Sequence, residues 1–310
     1  MPPRSILVAD DIENQTDAGK RRSLAIWSVA TFLARRLNTT IDLLYVEDIK
    51  AYPYRGFDPA RFQGWHSRHE IKIKELARRN SISVRAVLKG GSVPDEILKT
   101  LRVKTAPELI VMGTQGRKGL NRVFIGSVAE EVVRHSRRPV IVIGPVAQKK
   151  SQDTGALKKL DILVATDLSK NSRPAERYAL SLARRIGARV VLFHCLGDSY
   201  RIIIHESSMV SGWVPFNLED ILEDIRNNAE RSMKQKTDFF RRHDVPCEYK
   251  IEDTPITSSC AVYQEGDKGY SFIVMGTHGR NVLLEAYFGS TARETILNAS
   301  IPVIIVHSGK

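Results

Sequence analysis

The feature that most constrains this chain is a repeat of its first half in its second half. Three segments recur in the same order: residues 6–11 at 162–167, 110–117 at 273–280, and 138–143 at 301–306. The spacing between matching segments changes along the chain, which indicates insertions within a duplicated domain and excludes a short-period solenoid. The sequence therefore predicts two similar domains in tandem.

The chain length agrees with two domains. At 310 residues, the chain exceeds the roughly 100–200 residues typical of a single domain. The residues between the two copies are polar and rich in lysine, which is typical of a linker. We predict a first domain over residues 1–146, a linker over 147–159 and a second domain over 160–310.

The composition favours a globular protein of a reducing compartment. Hydrophobic residues make up 42% of the chain and charged residues 26%, as in ordinary globular domains. No apolar run approaches the roughly 18 residues of a membrane span, and Asp10 and Asp11 precede any signal-peptide core. Three cysteines, all in the second half, cannot pair completely with one another, which favours reduced thiols. We expect a cytoplasmic protein.

Short apolar runs alternate with amphipathic segments in each copy, the pattern of a parallel sheet with crossover helices. The clearest helix has Ser172 as its N-cap, Pro174 in its first turn and Gly187 as its stop. Continuous apolar runs at 109–112 and 303–306 suit central strands covered on both faces. The sequence predicts a doubly wound α/β sheet whose ligand cleft opens at the carboxyl ends of the strands.

A spaced glycine motif follows the same predicted strand in both copies. Gly113 and Gly116 enclose two residues, and nine residues then lead to Gly126 and Ser127. The second copy has the same spacing in Gly276, Gly279, Gly289 and Ser290. Because a glycine has no Cβ, it lets backbone N–H groups approach an anion closely. The motif therefore predicts a phosphate cradle, repeated twice.

The start of the helix after this motif also has the spacing of a capping box in the first copy. Ser127 and Glu130 stand three residues apart, so the serine is the expected N-cap. In the second copy Arg293 occupies the place of the glutamate. Neither a P-loop nor a Gly-x-Gly-x-x-Gly after a strand is present, so a P-loop kinase and a dinucleotide dehydrogenase are not supported.

The strand that opens each copy, the glycine motif and the final Pro-Val-Ile strand together resemble the ATP-binding branch of the universal stress proteins. The resemblance covers nearly the whole chain as two consecutive domains. It implies a flavodoxin-like fold of the adenine nucleotide alpha hydrolase-like type, with a five-stranded parallel sheet and helices on both faces. It also implies ATP as the ligand, with Mg²⁺ or Mn²⁺.

The same resemblance implies which residues hold the nucleotide. On the nucleoside side, Asp11 and Asp167 end the first strand of each copy, and Val46 and Cys195 end the second. The resemblance implies that the ribose and phosphates are held by Gly113, Gly116, Gly126, Ser127 and Val128 in the first copy. In the second copy it implies Gly276, Gly279, Gly289, Ser290 and Thr291. The residues themselves suggest no catalytic group and no protein-bound metal.

Three functions are compatible with the sequence. The first is a stress-response regulator that changes with ATP occupancy. The second is a slow ATPase or nucleotidyl-transfer enzyme; this requires a positioned base, for which neither copy has a motif, although Arg117 and Arg280 could clamp a phosphate. The third is a nucleic-acid-associated stress protein, suggested by the net charge of +12. The sequence favours binding over catalysis and makes a nucleic-acid surface the weakest candidate.

Two further expectations concern the relation between the copies. We expect them to associate as an intramolecular pseudo-dimer through their last strands, 140–143 and 303–306, and a homodimer is also compatible. We also expect tighter ATP binding in the first copy, because its phosphate loop carries Arg117, Lys118 and Arg122, whereas the second loop includes Glu285.

Overall fold

The computed structural model describes residues 5–12, 14–48, 64, 67, 73–75, 77–78, 81–103, 105–114, 125–150, 160–198, 200, 218–254, 256–277 and 288–307. The chain divides into two compact units, residues 1–154 and 155–310. Among the described residues, no helix has both the length and the apolar character needed to cross a membrane.

The first unit is a parallel α/β sheet. Its strands are β1 Ile6–Ala9, β2 Ile41–Asp48, β3 Val84–Gly91, β4 Leu109–Gly113 and β5 Val140–Ile143. Its helices are α1 Asp17–Leu37, α2 Val93–Arg102, α3 Ser127–His135 and α4 Pro145–Lys150. The strand order is β3-β2-β1-β4-β5, so the winding direction reverses between β1 and β4.

The second unit repeats this arrangement. Its strands are β6 Asp161–Ala165, β7 Arg189–Cys195, β8 Cys247–Glu252, β9 Phe272–Gly276 and β10 Val303–Val306. A short 3₁₀ helix, Lys170–Ser172, precedes the helices α5 Arg173–Ile186, α6 Leu218–Arg241, α7 Ser258–Gly266 and α8 Ser290–Asn298. The order β8-β7-β6-β9-β10 again reverses between the first and fourth strands. The predicted fold class, two flavodoxin-like domains with five-stranded sheets, is confirmed.

The central strands are the buried core of each unit. Leu109, Ile110 and Val111 of β4 have no exposed surface, and neither do Ile273 and Val274 of β9. A parallel strand that lies between two helical layers must be apolar on both faces. The uninterrupted apolar runs in the sequence reflect this burial.

Helix α5 begins and ends where its sequence predicts. Ser172 precedes its first residue, a proline stands in its first turn, and Gly187 ends it with a left-handed φ of 70°. The Ser172 hydroxyl does not cap the helix. It lies 3.0 Å from Thr166 Oγ1 instead, where it belongs to a buried polar cluster at the end of β6.

The residues after β5 differ from the predicted linker at its start. Residues 147–150 belong to α4, in which Ala147 and Gln148 are buried. The Gln148 side-chain amide donates a hydrogen bond to the Ile143 carbonyl at 2.8 Å. This contact holds the beginning of the polar segment on the first unit. Residues 151–159, the rest of the predicted linker, lie outside the described residues.

Candidate functional site

The strand register brings the predicted residues of the first unit to one edge of the sheet. Ala9 of β1 pairs with Leu44 of β2 and with Met112 of β4. Because these strands run parallel, the residues that follow Ala9 and Met112, including Asp11 and Gly113, lie at the same carboxyl edge. In open α/β sheets this edge, at the point where the strand order reverses, is where ligands bind.

The second unit has the same edge. Val164 of β6 pairs with Leu192 of β7 and with Val274 of β9, so the strand ends that precede Asp167 and Gly276 lie side by side. The second strands differ slightly between the units. Cys195 is the last residue of β7, as expected, whereas β2 continues to Asp48 and Val46 lies inside it, paired with Lys89.

A glycine returns the chain to this edge in both units. In the first unit Gly126 has a φ of 93°, and a Cβ at this position would lie 2.1 Å from the Thr114 carbonyl oxygen. In the second unit the Gly289 N–H donates to the Thr277 carbonyl at 3.0 Å. Each glycine thus sets the N-terminus of the following helix, α3 or α8, against the end of the fourth strand of its sheet.

The glycines in the middle of the motif, Gly116 and Gly279, lie outside the described residues, as do the charged loop residues between them and the helices. Their assignment as phosphate ligands therefore stays a prediction.

The capping box predicted for the first copy is wrong. The N-cap of α3 is Gly126, and no side chain caps this helix. Ser127 is already the first helical residue, so Glu130 stands one position beyond the place from which it could reach back to the N-cap. The Glu130 carboxylate instead accepts a hydrogen bond from Arg134 Nη2 at 2.8 Å, one turn further along the helix.

The first turns of α3 and α8 are open to ligands. Ser127 and Ser290 are exposed, and Val128 and Thr291 are half-buried. Neither serine hydroxyl forms a hydrogen bond within the described part of the chain. The first amides of a helix have no partner inside the helix, and they carry the positive end of its dipole. The arrangement can therefore hold an anion at the carboxyl edge of each sheet.

The first unit also has a buried ion pair at this edge that the sequence did not reveal. The Asp10 carboxylate has no exposed surface, and its Oδ1 lies 3.6 Å from Arg22 Nε. Ser23 Oγ donates to Asp10 Oδ2 at 2.5 Å, and Arg22 Nη2 donates to the Asp11 carbonyl at 3.2 Å. Burial raises the pKa of the Asp10 carboxyl above its ordinary value of 3.8, while Ser23 and Arg22 oppose that rise.

The corresponding position in the second unit is Thr166, and its neighbours form a different network. Thr166 Oγ1 donates to Glu176 Oε1 at 2.6 Å. Lys236 Nζ binds both oxygens of that carboxylate, at 2.8 and 2.7 Å. Beside it, Leu168 has a left-handed φ of 64°, a strained conformation for a leucine of the kind that clusters at functional sites.

The two aspartates assigned to the nucleoside side are both half-buried, and both follow the first strand by two residues. Asp167 Oδ1 accepts a hydrogen bond from the Ser169 backbone at 3.0 Å, which shapes the turn after β6. The backbone carbonyl of Asp11 is held by Arg22 and by the Asn14 N–H. Their positions beside the fourth strands suit contacts to a ligand in the crevice.

Cys195 lies at the same edge as a buried thiol. Burial raises the pKa of this thiol, which keeps it protonated and a poor nucleophile. The sequence-based interpretation of Cys195 as a small buried hydrophobe agrees with its environment. Among the described residues, no cluster of three or more His, Cys, Asp or Glu side chains could hold a metal ion.

Two tandem α/β units, each with a helix N-terminus returned to the carboxyl edge of its sheet, define a two-domain flavodoxin-like protein. The model of the universal stress protein family matches residues 3–144 and 160–307. The chain belongs to the universal stress protein family.

Comparison with individual proteins supports the same family. A universal stress protein of Methanocaldococcus jannaschii is 30% identical over 135 residues, which cover 40% of this chain and 76% of the relative. One from Mycobacterium tuberculosis is 25% identical over 244 residues, covering 76% of this chain and 72% of the relative. The crystal structure of a universal stress protein from Archaeoglobus fulgidus aligns over 100% of both chains with a TM-score of 0.64 and 17% identity, which supports the fold.

Proposed function

We propose that this protein binds ATP, accompanied by Mg²⁺ or Mn²⁺, at the carboxyl edge of its sheets and acts as a nucleotide-dependent regulator in a stress response. The observation that carries the proposal is the convergence, in both units, of a strand-end aspartate, a strand-end glycine and an open helix N-terminus. The same convergence in both copies of a duplicated domain favours a ligand over a chance arrangement of loops.

The described residues at this edge suit the phosphates of a nucleotide. At Gly126 the backbone runs so close to the Thr114 carbonyl that no Cβ fits, which sets the first turn of α3 against the end of β4. The backbone amides of that turn and the Ser127 hydroxyl would hold phosphate oxygens, and the ribose would lie beside Gly113, against which the Arg22 side chain packs in this structure. Asp11 and Val46 would flank the nucleoside. The bound cation would supply charge neutralisation, held mainly through the phosphates.

In the second unit the matching roles fall to Gly276, Gly289, Ser290 and Thr291 at the phosphates. Asp167 and Cys195 would lie on the nucleoside side, where the protonated thiol of Cys195 offers an apolar contact. The middle glycines, Gly116 and Gly279, complete the proposed cradles.

Regulation is a better fit than catalysis. Phosphoryl transfer needs a base beside the attacking oxygen. Within the described part of the site, the Asp10 carboxylate is enclosed by Arg22 and Ser23, and the Cys195 thiol is protonated. We assign Asp11 and Asp167 to the nucleoside and not to the phosphates. We therefore expect bound ATP to remain intact. Single-turnover measurement with labelled ATP checks this, and hydrolysis during one round of binding would favour the enzyme instead.

The central experiment asks whether adenine nucleotide binds at the proposed helix termini. Mass spectrometry of the natively purified chain should detect ATP. After its removal, hydrogen exchange of the full chain with ATP and Mg²⁺ should show new protection at the start of α3, of α8 or of both, with none when CTP replaces ATP. The absence of ATP-dependent protection at both α3 and α8 would contradict the proposal.

A charge substitution sharpens the test. Ser290→Asp places a carboxylate at an exposed first-turn position, next to the proposed phosphates, and should weaken ATP binding by the second unit at least about tenfold. Asn298→Asp is the matched control, because it adds the same charge at the opposite end of α8. Equal losses of affinity in the two variants would show that the first turn has no special role.

A further inference from the structure

Helix α1 of the first domain is two turns longer than its counterpart α5. The two helices have 21 and 14 residues. Both end at a left-handed cap residue, Asn38 or Gly187. Three residues after each cap stands the second-strand residue, Ile41 or Val190, that pairs with the first strand. Counted back from these ends, the extra residues of α1 are 17–23. The second domain has no α-helix there, because its residues 166–172 form the loop and short 3₁₀ helix that connect β6 to α5.

The extra turns lie at the ligand edge. A crossover helix runs antiparallel to the strands, so its first turns lie at their carboxyl ends. Seven residues of helix are about 10 Å long. The first domain therefore has two turns of α-helix at the edge where the second domain has a loop and a short 3₁₀ helix.

Arg22 belongs to these extra turns of α1, and its side chain lies in the crevice. Its aliphatic stem lies against Gly113, where a Cβ would stand 2.6 Å from Arg22 Cγ. Its guanidinium reaches Asp10 and the Asp11 carbonyl after β1. Only 6% of the side chain is exposed. Arg22 thus spans the ends of β1 and β4, the point where the strand order reverses and where a ligand is expected.

The second domain has no arginine at the matching position. Asn171 stands there, in the short 3₁₀ helix. Thr166, a smaller and uncharged residue, replaces Asp10 at the strand end. An asparagine side chain is too short to follow the path that Arg22 takes across the strand ends.

We propose that the first domain closes its own nucleotide crevice with Arg22, so that the second domain is the high-affinity site. This rests on the proposed function. For nucleotide to enter the first domain, Arg22 must leave the crevice and separate from Asp10, whose buried carboxylate would then lose its cation. Breaking a buried pair in this way is strongly unfavourable. The first domain should bind ATP at least about tenfold more weakly than the second. This order is opposite to the one expected from the loop charges.

The test is calorimetric titration of the full, nucleotide-free chain with ATP and Mg²⁺, with hydrogen exchange to locate the occupied domain. We expect one tight site per chain and protection at α8. The double variant Asp10→Thr, Arg22→Asn transfers the residues of the second domain into the first and should create a second tight site. Lys20→Asn, at an exposed position on the same extra turns, removes one positive charge as Arg22→Asn does, and should leave one site.

The outcomes separate this inference from the proposed function. Two sites of equal affinity in the unmodified chain, or protection at α3 alone, would overturn the inference while leaving nucleotide binding intact. A folded double variant that still has one site would also overturn it. No binding at either domain would refute the proposed function, and the inference with it. Should the double variant fail to fold, the site count and protection pattern of the unmodified chain decide.

Discussion

The two domains have the same fold, but their charged residues at the carboxyl edge of the sheet are arranged differently. In the first, the buried carboxylate stands at the strand end, on Asp10, and Arg22 from α1 faces it. In the second, the strand end has the neutral Thr166, and the buried carboxylate is Glu176 on α5, bound by Lys236 from α6. The comparison shows that a duplicated fold can keep its strand register and its glycines while the interacting polar residues of the crevice differ together between the two copies.

A second difference concerns the glycine before the last helix of each domain. Gly126 has a φ of 93°, in the region that favours glycine. Gly289 has a φ of −61° and a ψ of 140°, which any residue can adopt. The backbone conformation thus favours glycine at position 126, whereas the conformation at position 289 is open to other residues.

The largest expected difference between the domains is in the cost of replacing this glycine by alanine. Gly126→Ala should destabilise the first domain by about 3 kcal/mol, because the positive φ alone costs about 1–2 kcal/mol and the new Cβ would meet the Thr114 carbonyl. Gly289→Ala should change the free energy of unfolding by less than about 1 kcal/mol. Hydrogen exchange of β4 and β9 in the full chain measures both. Equal losses would show that the two turns are alike.

The next effect concerns the buried pair of the second domain. Lys236→Met leaves the Glu176 carboxylate without its cation and should destabilise that domain by about 2–3 kcal/mol, below the range for a fully buried pair because Lys236 is 20% exposed. Chemical denaturation, followed by exchange of β6, measures the loss.

The double variant Glu176→Gln, Lys236→Met is the control for that prediction. Removing both charges should recover most of the stability, because no unpaired charge then remains buried. Failure to recover would mean that packing of the lysine stem, and not its charge, stabilises the domain.

A smaller effect depends on pH and belongs to the first domain alone. Burial raises the pKa of Asp10 above 3.8, against the opposing influence of Ser23 and Arg22, and Asp11 adds to the rise. The folded domain therefore keeps this proton to higher pH than the unfolded chain does. Its contribution to stability is complete below pH 3.8 and is lost as pH rises through the folded pKa.

Asp10→Asn should abolish that contribution. The difference in unfolding free energy between the unmodified chain and this variant should fall as pH rises from about 4 and then become constant. The second domain, with Thr166 at this position, supplies the internal control. A difference that is independent of pH would show that Asp10 titrates alike in the folded and unfolded states.

The sequence predicts the fold well because its signals are local. The apolar runs, Gly187 after α5 and the glycine at the end of each fourth strand all act within a few residues. The sequence does not predict the ion pairs of the crevice, because they join residues that are far apart along the chain. Arg22 follows Lys20 and Arg21, a run typical of a solvated helix face, and only the tertiary fold reveals that it is buried beside Asp10.

The smallest expected effect compares two helix starts within the first domain. The Thr16 hydroxyl caps α1 by accepting a hydrogen bond from the Gly19 N–H at 3.0 Å, so Thr16→Ala should cost about 1 kcal/mol. Ser127 is the first residue of α3 and caps nothing, so Ser127→Ala should cost less than about 0.5 kcal/mol. Thermal unfolding of the full chain measures both. If Ser127→Ala were as costly as Thr16→Ala, a capping role for this serine would be restored, and its hydroxyl would no longer be available to the proposed phosphates.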